Sequence, residues 1–168
     1  QNVNPWGIII VKNLVSFIVF LLITILNFKN FKILKINDIL SISQASTLLF
    51  LTTSSIIISL NYIPAVIVLT VFTTTPLFVG LLNSLVKKKE KLTLNFIIGF
   101  SLAFFGILLT LNIFFMKSMN LRIEGLMIAF LGVMSSTIYR IILDDLTHKY
   151  TPFVVSNYIF LINGLIVL

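Results

Sequence analysis

The chain has 168 residues, of which 58% are apolar, 10% charged and none Cys. A soluble domain carries about 25% charged residues, so the shortfall points to a membrane protein, and without Cys there are no disulfides, thiolate metal sites or thiol nucleophiles. The net charge of +7 is spread over short Lys and Arg runs between apolar spans, which is the pattern of membrane loops and excludes a basic face for nucleic acid.

The first apolar span covers residues 5–28, with Trp6 near its start as an interfacial anchor. Its length and the lack of a small-residue cleavage site argue against a signal peptide. Lys12 lies seven residues past Pro5, about 10 Å into the helix. Its ammonium either snorkels to the headgroups or faces a water-filled cavity. A loop with Lys29, Lys32, Lys35 and Asp38 leads to a second span over residues 39–60. Thr52, Ser55 and Ser59 fall at i, i+3, i+7 and share one helix face. Their hydroxyls either bond within the helices or line a polar cavity.

Asn61-Tyr62-Ile63-Pro64 turns the chain without a charge into a third span, the 23 uncharged residues 64–86. That is about 34 Å of helix, enough to cross a bilayer. At its midpoint sits Thr73-Thr74-Thr75-Pro76. Pro76 removes a backbone donor and crowds the carbonyl near Phe72. Backbone freed in mid-membrane is tolerated where protein or a water-filled cavity surrounds it. The threonines either heal that carbonyl or offer hydroxyls to a substrate. The basic run Lys87, Lys88, Lys89, Glu90, Lys91 closes the span.

The fourth span, residues 92–113, carries Gly99, Ala103, Gly106 and Thr110 on one narrow stripe, and the fifth, residues 125–143, repeats the spacing with Gly125, Ala129, Gly132 and Ser136. Small residues let helix backbones approach closely in a membrane, so both stripes are expected at helix contacts, with Val133 off the stripe. Tyr139 and Arg140 continue the second stripe. Asp144, Asp145, His148 and Lys149 then read as a solvated loop, since one His beside two Asp is neither a metal nor a catalytic set. Pro152 opens a sixth span over residues 151–168.

The expected fold is an all-α integral membrane protein, a bundle of six transmembrane helices. Loops after the first, third and fifth spans hold nine Lys or Arg (Lys29, Lys32, Lys35, Lys87, Lys88, Lys89, Lys91, Arg140, Lys149), and those after the second and fourth hold two, Lys117 and Arg122. The first group therefore faces the cytoplasm and the chain begins outside. Gln1 in place of an initiator Met, and Leu168 in an apolar run without flanking charge, read as a piece of a longer protein. No Asp, Glu or His lies within a span, so the groups a membrane-embedded enzyme needs are missing and no cofactor or metal is expected.

Several segments now line up. Leu60-Asn61-Tyr62-Ile63-Pro64-Ala65, Thr75-Pro76-Leu77-Phe78, Glu90-Lys91-Leu92-Thr93, and Gly99 with Gly106 resemble, in order and spacing, the "A-L-x-Y-x-P-A", "T-P-L-F", "G-E-R-L-T" and "G-x-x-L-x-x-x-G" segments of the EamA family of the drug/metabolite transporter superfamily. Pro5 followed by Lys12 looks like the family's second helix, where Arg is commoner. Gly125 through Tyr139 looks like the start of its second repeat, with Ser135-Ser136-Thr137-Ile138-Tyr139 for "S-W-A-x-Y", the Trp being absent.

The resemblance implies ten helices in two inverted five-helix repeats, of which this chain holds helices two to seven. Residues 1–113 would be the first repeat without its first helix, and residues 125–168 the start of the second. The sixth span would then run opposite to the first, with Pro5 and Pro152 opening equivalent helices. The implied function is a secondary transporter in a bacterial cytoplasmic membrane, moving a small metabolite or amino-acid-like solute by alternating access. A non-transporting remnant or membrane assembly subunit is the alternative, and a homodimer is open to either. The candidate cavity residues are Lys12, Thr52, Ser55, Thr73, Thr74, Pro76, Ser136, Tyr139 and Arg140. Lys12 and Arg140 lean toward an anion or a carboxylate.

Overall fold

The computed structural model describes residues 4–26, 34–87, 93–110 and 122–167. Lys29, Lys32, Lys88, Lys89, Lys91 and Lys117 of the orientation count lie outside these, as do Glu90 and the side chain of Ala103. The described residues are helical almost throughout: α1 Pro5–Leu26, α2 Ile36–Ser59, α3 Ala65–Phe72, α4 Thr75–Leu82 with a π-helical turn at Asn83–Lys87, α5 Leu94–Thr110, α6 Ile123–Thr147 and α7 Pro152–Val167. This is the all-α membrane architecture that the composition requires. Hydrocarbon offers backbone groups no partner, so each apolar run must satisfy its own by forming a helix.

Among the described residues, four segments are long and apolar enough to cross a membrane: Pro5–Leu26, Asp38–Ser59, Ala65–Leu85 and Ile123–Thr147. The described parts of the expected fourth and sixth spans, α5 and α7, are shorter apolar helices. Large side chains such as Val11, Leu22, Leu69, Leu102 and Leu131 are exposed. That is the expected outward face of a bundle whose solvent on that side is lipid.

Side-chain contacts fix the helix directions. α2 and α6 make the most extensive pair. Ser55 of α2 meets Gly132, and Tyr62 just beyond α2 meets Gly125, so partners advance in opposite senses and the pair is antiparallel. Along α2 and α7 they advance together. Asp38 meets Tyr150 and the Ser46 hydroxyl donates to the Ile159 carbonyl at 2.9 Å, which makes that pair parallel. α1 runs antiparallel to α7, with Thr24 on Asn157, Phe20 stacked on Phe160 at 4.4 Å and Phe17 on Gly164. The first and last helices thus pack side by side and point opposite ways.

Two apolar clusters hold these pairs. One joins Leu34, Ile42, Ala45, Leu146, Val154, Val155 and Ile159, where the start of α2, the end of α6 and the start of α7 converge. The other joins Ile63, Ile67, Val68 and Ala129, where α3 lies on α6. The first cluster explains one departure from expectation. α6 continues through Asp144 and Asp145 to Thr147, because Leu146, 2% exposed, must be delivered to the core by another helical turn. The loop is correspondingly short, and Arg140 lies inside the helix.

The two glycine stripes part company. A Cβ on Gly132 would lie 2.6 Å from Phe72 and 2.8 Å from Ser55, and one on Gly125 2.6 Å from Tyr62. Only a hydrogen fits at either place. Gly99 and Gly106 instead look onto open space, with nothing within 4 Å, since α5 meets the other described residues chiefly through α3. Among the described residues, then, Gly99 and Gly106 have room for a side chain where Gly125 and Gly132 have none. Val133, off the α6 stripe, is fully buried too, because α6 is covered by α2 on one flank and by α3 and α4 on another.

Candidate functional site

Apart from Asp38 at one end, the buried polar side chains among the described residues are uncharged. Asn13, Ser46, Thr52, Ser54, Ser59, Thr70, Thr75, Ser136, Thr137, Asn157 and Asn163 are all buried. Most are satisfied locally, as hydroxyls in hydrocarbon must be. Thr52 donates to the Leu48 carbonyl at 2.8 Å, Ser59 to Ile56 at 2.8 Å, and Thr137 to Val133 at 2.7 Å. The Asn13 amide donates to the Ile9 carbonyl at 2.9 Å.

Of the expected cavity residues, the fold brings Thr52 and Ser136 into the interior and leaves Ser55 and Tyr139 half-buried. Lys12 and Arg140 are exposed. Lys12 borders a shallow groove of about 560 Å³ with Asn4, Gly7, Ile8 and Val11 on the outer surface of α1. The two cations therefore do not converge on one another or on the interior of this chain.

The break in the third span is real and compact. Thr73 and Thr74, between α3 and α4, keep right-handed helical dihedrals (φ −66°, ψ −14° and φ −77°, ψ −12°), so the chain passes through one tightened turn. Three successive carbonyls there lean on the three threonines. Thr73 donates to Thr70 at 2.6 Å, Thr74 to Val71 at 2.6 Å, and Thr75 to Phe72 at 2.7 Å. Pro76 has no N–H for the Phe72 carbonyl, and the Thr75 hydroxyl takes its place. Thr73 and Thr74 are half-buried, and Pro76 is exposed. With their O–H groups engaged, Thr73 and Thr74 have only lone pairs left to offer. The break is clasped onto α6 from both sides, by Phe72 on Gly132 and by Phe78 edge-on to Phe130 at 5.8 Å.

Two arrangements escaped the sequence reading. The first is in the α1–α7 seam. The fully buried Asn157 donates to Thr24 at 2.8 Å, and Thr24 passes its own proton to the Phe20 carbonyl at 2.8 Å. The carbonyl oxygens of Asn157 and Asn163 and the hydroxyl of Ser54 are buried without a partner among the described residues. Leaving such groups unpaired costs about 1–3 kcal/mol each. Asn in mid-span was the available signal.

The second lies at one end of the bundle. Asp38, in the first turn of α2 and only 8% exposed, accepts from the Lys149 ammonium at 3.0 Å and the Tyr150 hydroxyl at 2.7 Å. The Asp38 hydrogen bond and charge hold the Lys149 ammonium above its usual pKa. The same carboxylate, helped by desolvation, raises Tyr150. A lone acid in a basic loop was the signal, and it reads equally well as solvated.

Apolar helices laid side by side in alternating directions, with uncharged polar groups inside, define a multi-pass α-helical membrane protein. Residues 1–112 match the model of the EamA-like transporter family, and the chain belongs to that family. Neither a curated protein nor a solved structure matches it.

Proposed function

We propose that the chain is part of a secondary transporter that moves a small metabolite or amino-acid-like solute across the bacterial cytoplasmic membrane by alternating access. The observation that carries the reading is the antiparallel α1–α7 pair. Both helices open at a proline, and they come from the regions assigned to the first and second repeats. Inverted repeats of this kind rock about a site near the membrane midplane. The orphaned oxygens of Asn157, Asn163 and Ser54 lie on the helices that would line such a site. They suit a solute rich in hydrogen-bond donors, and the uncharged interior favours a neutral or zwitterionic one over a bare anion.

An uptake screen tests this: cells expressing the protein against cells with Asn157→Leu, each given labelled amino acids, amides, polyols and organic acids. The expected result is uptake or extrusion of a donor-rich neutral or zwitterionic solute that Asn157→Leu abolishes. No difference for any solute, with protein present in the membrane, would refute transport.

A further inference from the structure

We propose that Asp38, Lys149 and Tyr150 form a latch that holds the start of α2 against the α6–α7 turn and keeps that end of the bundle shut, so that releasing the latch opens that end to water.

The latch joins parts of the chain 111 and 112 positions apart. It ties the first-repeat helix α2 to the turn between two helices of the second, the contact an alternating-access motion has to break. Beside it, one helical turn further into α2, α6 and α7, lie Ile42, Leu146, Val154 and Val155 of a small apolar plug. At the opposite end of the bundle the corresponding contact is apolar and steric, Tyr62 and Ile63 against Gly125. One end is thus shut by close packing and the other by a polar clasp over a thin plug.

The clasp is suited to reversal. The Lys149 side chain is 61% exposed while that of Asp38 is 11% exposed, so water already reaches the ammonium. Partly exposed ion pairs exchange for water with little net change in free energy, whereas the packed glycine contacts have no such substitute. By the charge count the latched end is cytoplasmic, so the structure is closed on that side.

The chain has no Cys, so a single cysteine can report on the plug. Val155→Cys places one under the latch, at a fully buried position, and Val68→Cys places one in the other half, 1% exposed. Maleimide labelling is followed in inside-out membrane vesicles. Asp38→Asn keeps the shape and removes the charge, and it should speed labelling at position 155 about tenfold, as when an open state grows from about 1% to about 10% of the population. Labelling at position 68 should not change. Lys149→Gln, at an exposed position, should act in the same direction and serves if Asp38→Asn fails to fold. No acceleration at position 155, or equal acceleration at both positions, overturns the latch, the second outcome meaning general loosening. Its purpose rests on the transport reading, but the labelling uses no substrate. A silent uptake screen therefore leaves the latch standing, and failed labelling leaves transport standing.

Discussion

The Thr75 hydroxyl lies 2.7 Å from the Phe72 carbonyl, the one group in the third span that Pro76 deprives of its helical donor. A proline in mid-membrane is therefore repaired by the residue that precedes it. Thr75→Val keeps the shape but strands the carbonyl, and should destabilise by about 1–3 kcal/mol. Pro76→Ala restores the N–H, and by helix propensity should be neutral or stabilising by up to about 3 kcal/mol. The double variant should recover most of the Thr75→Val loss. Melting curves in detergent for the three variants close the cycle, and strict additivity would mean the two residues act separately.

Gly132 and Gly106 share a spacing pattern and should answer differently to the same change. Gly132→Ala drives a methyl into Phe72 and Ser55 and should cost about 1–3 kcal/mol through overpacking. Gly106→Ala meets nothing within 4 Å and should be neutral, or stabilising by up to about 1 kcal/mol from helix propensity. Equal melting temperatures for the two variants would contradict the packing.

Asn61 and His148 are both exposed and sit at opposite ends of the bundle. With single cysteines there, an impermeant thiol reagent applied to intact cells should modify position 61 and spare position 148. The reverse pattern would invert the orientation drawn from the Lys and Arg count.

The latch should fail at high pH. Lys149 is raised from its usual 10.5 and Tyr150 from its usual 10.0, so both bind their protons more tightly folded than unfolded. Their contribution is complete below the unfolded values and disappears as pH climbs through the folded ones. The parent's melting temperature should therefore exceed that of Asp38→Asn at about pH 8 and converge on it well above pH 10. A gap that stays constant with pH would remove Lys149 and Tyr150 from the effect.

The all-α architecture and the break at Pro76 were legible because each is written locally, in apolar run length or a single imino acid. What a face meets is not local. Gly99 and Gly106 carry the same signature as Gly125 and Gly132, yet among the described residues a Cβ would be crowded only at the α6 pair, since spacing aligns residues on a face without supplying its partner. The Thr73–Thr75 hydroxyls read as healers or as cavity lining, and the geometry shows which one heals: Thr75 is the one that reaches the Phe72 carbonyl. Asp38 reads as loop from sequence because its partners are more than a hundred residues away.

The α1–α7 seam bears on how the protein is made. The two helices are separated by residues 27–151, so at about 5–20 residues per second the ribosome takes roughly 6–25 s to supply α7 after α1 is complete. Until then α1, which touches α2 only lightly, sits in lipid with Thr24 lacking its Asn157 partner. Among the described residues this contact of high sequence separation waits longest for its partner, and chains stalled before Pro152 expose an unmatched polar seam to the bilayer for membrane quality control to find.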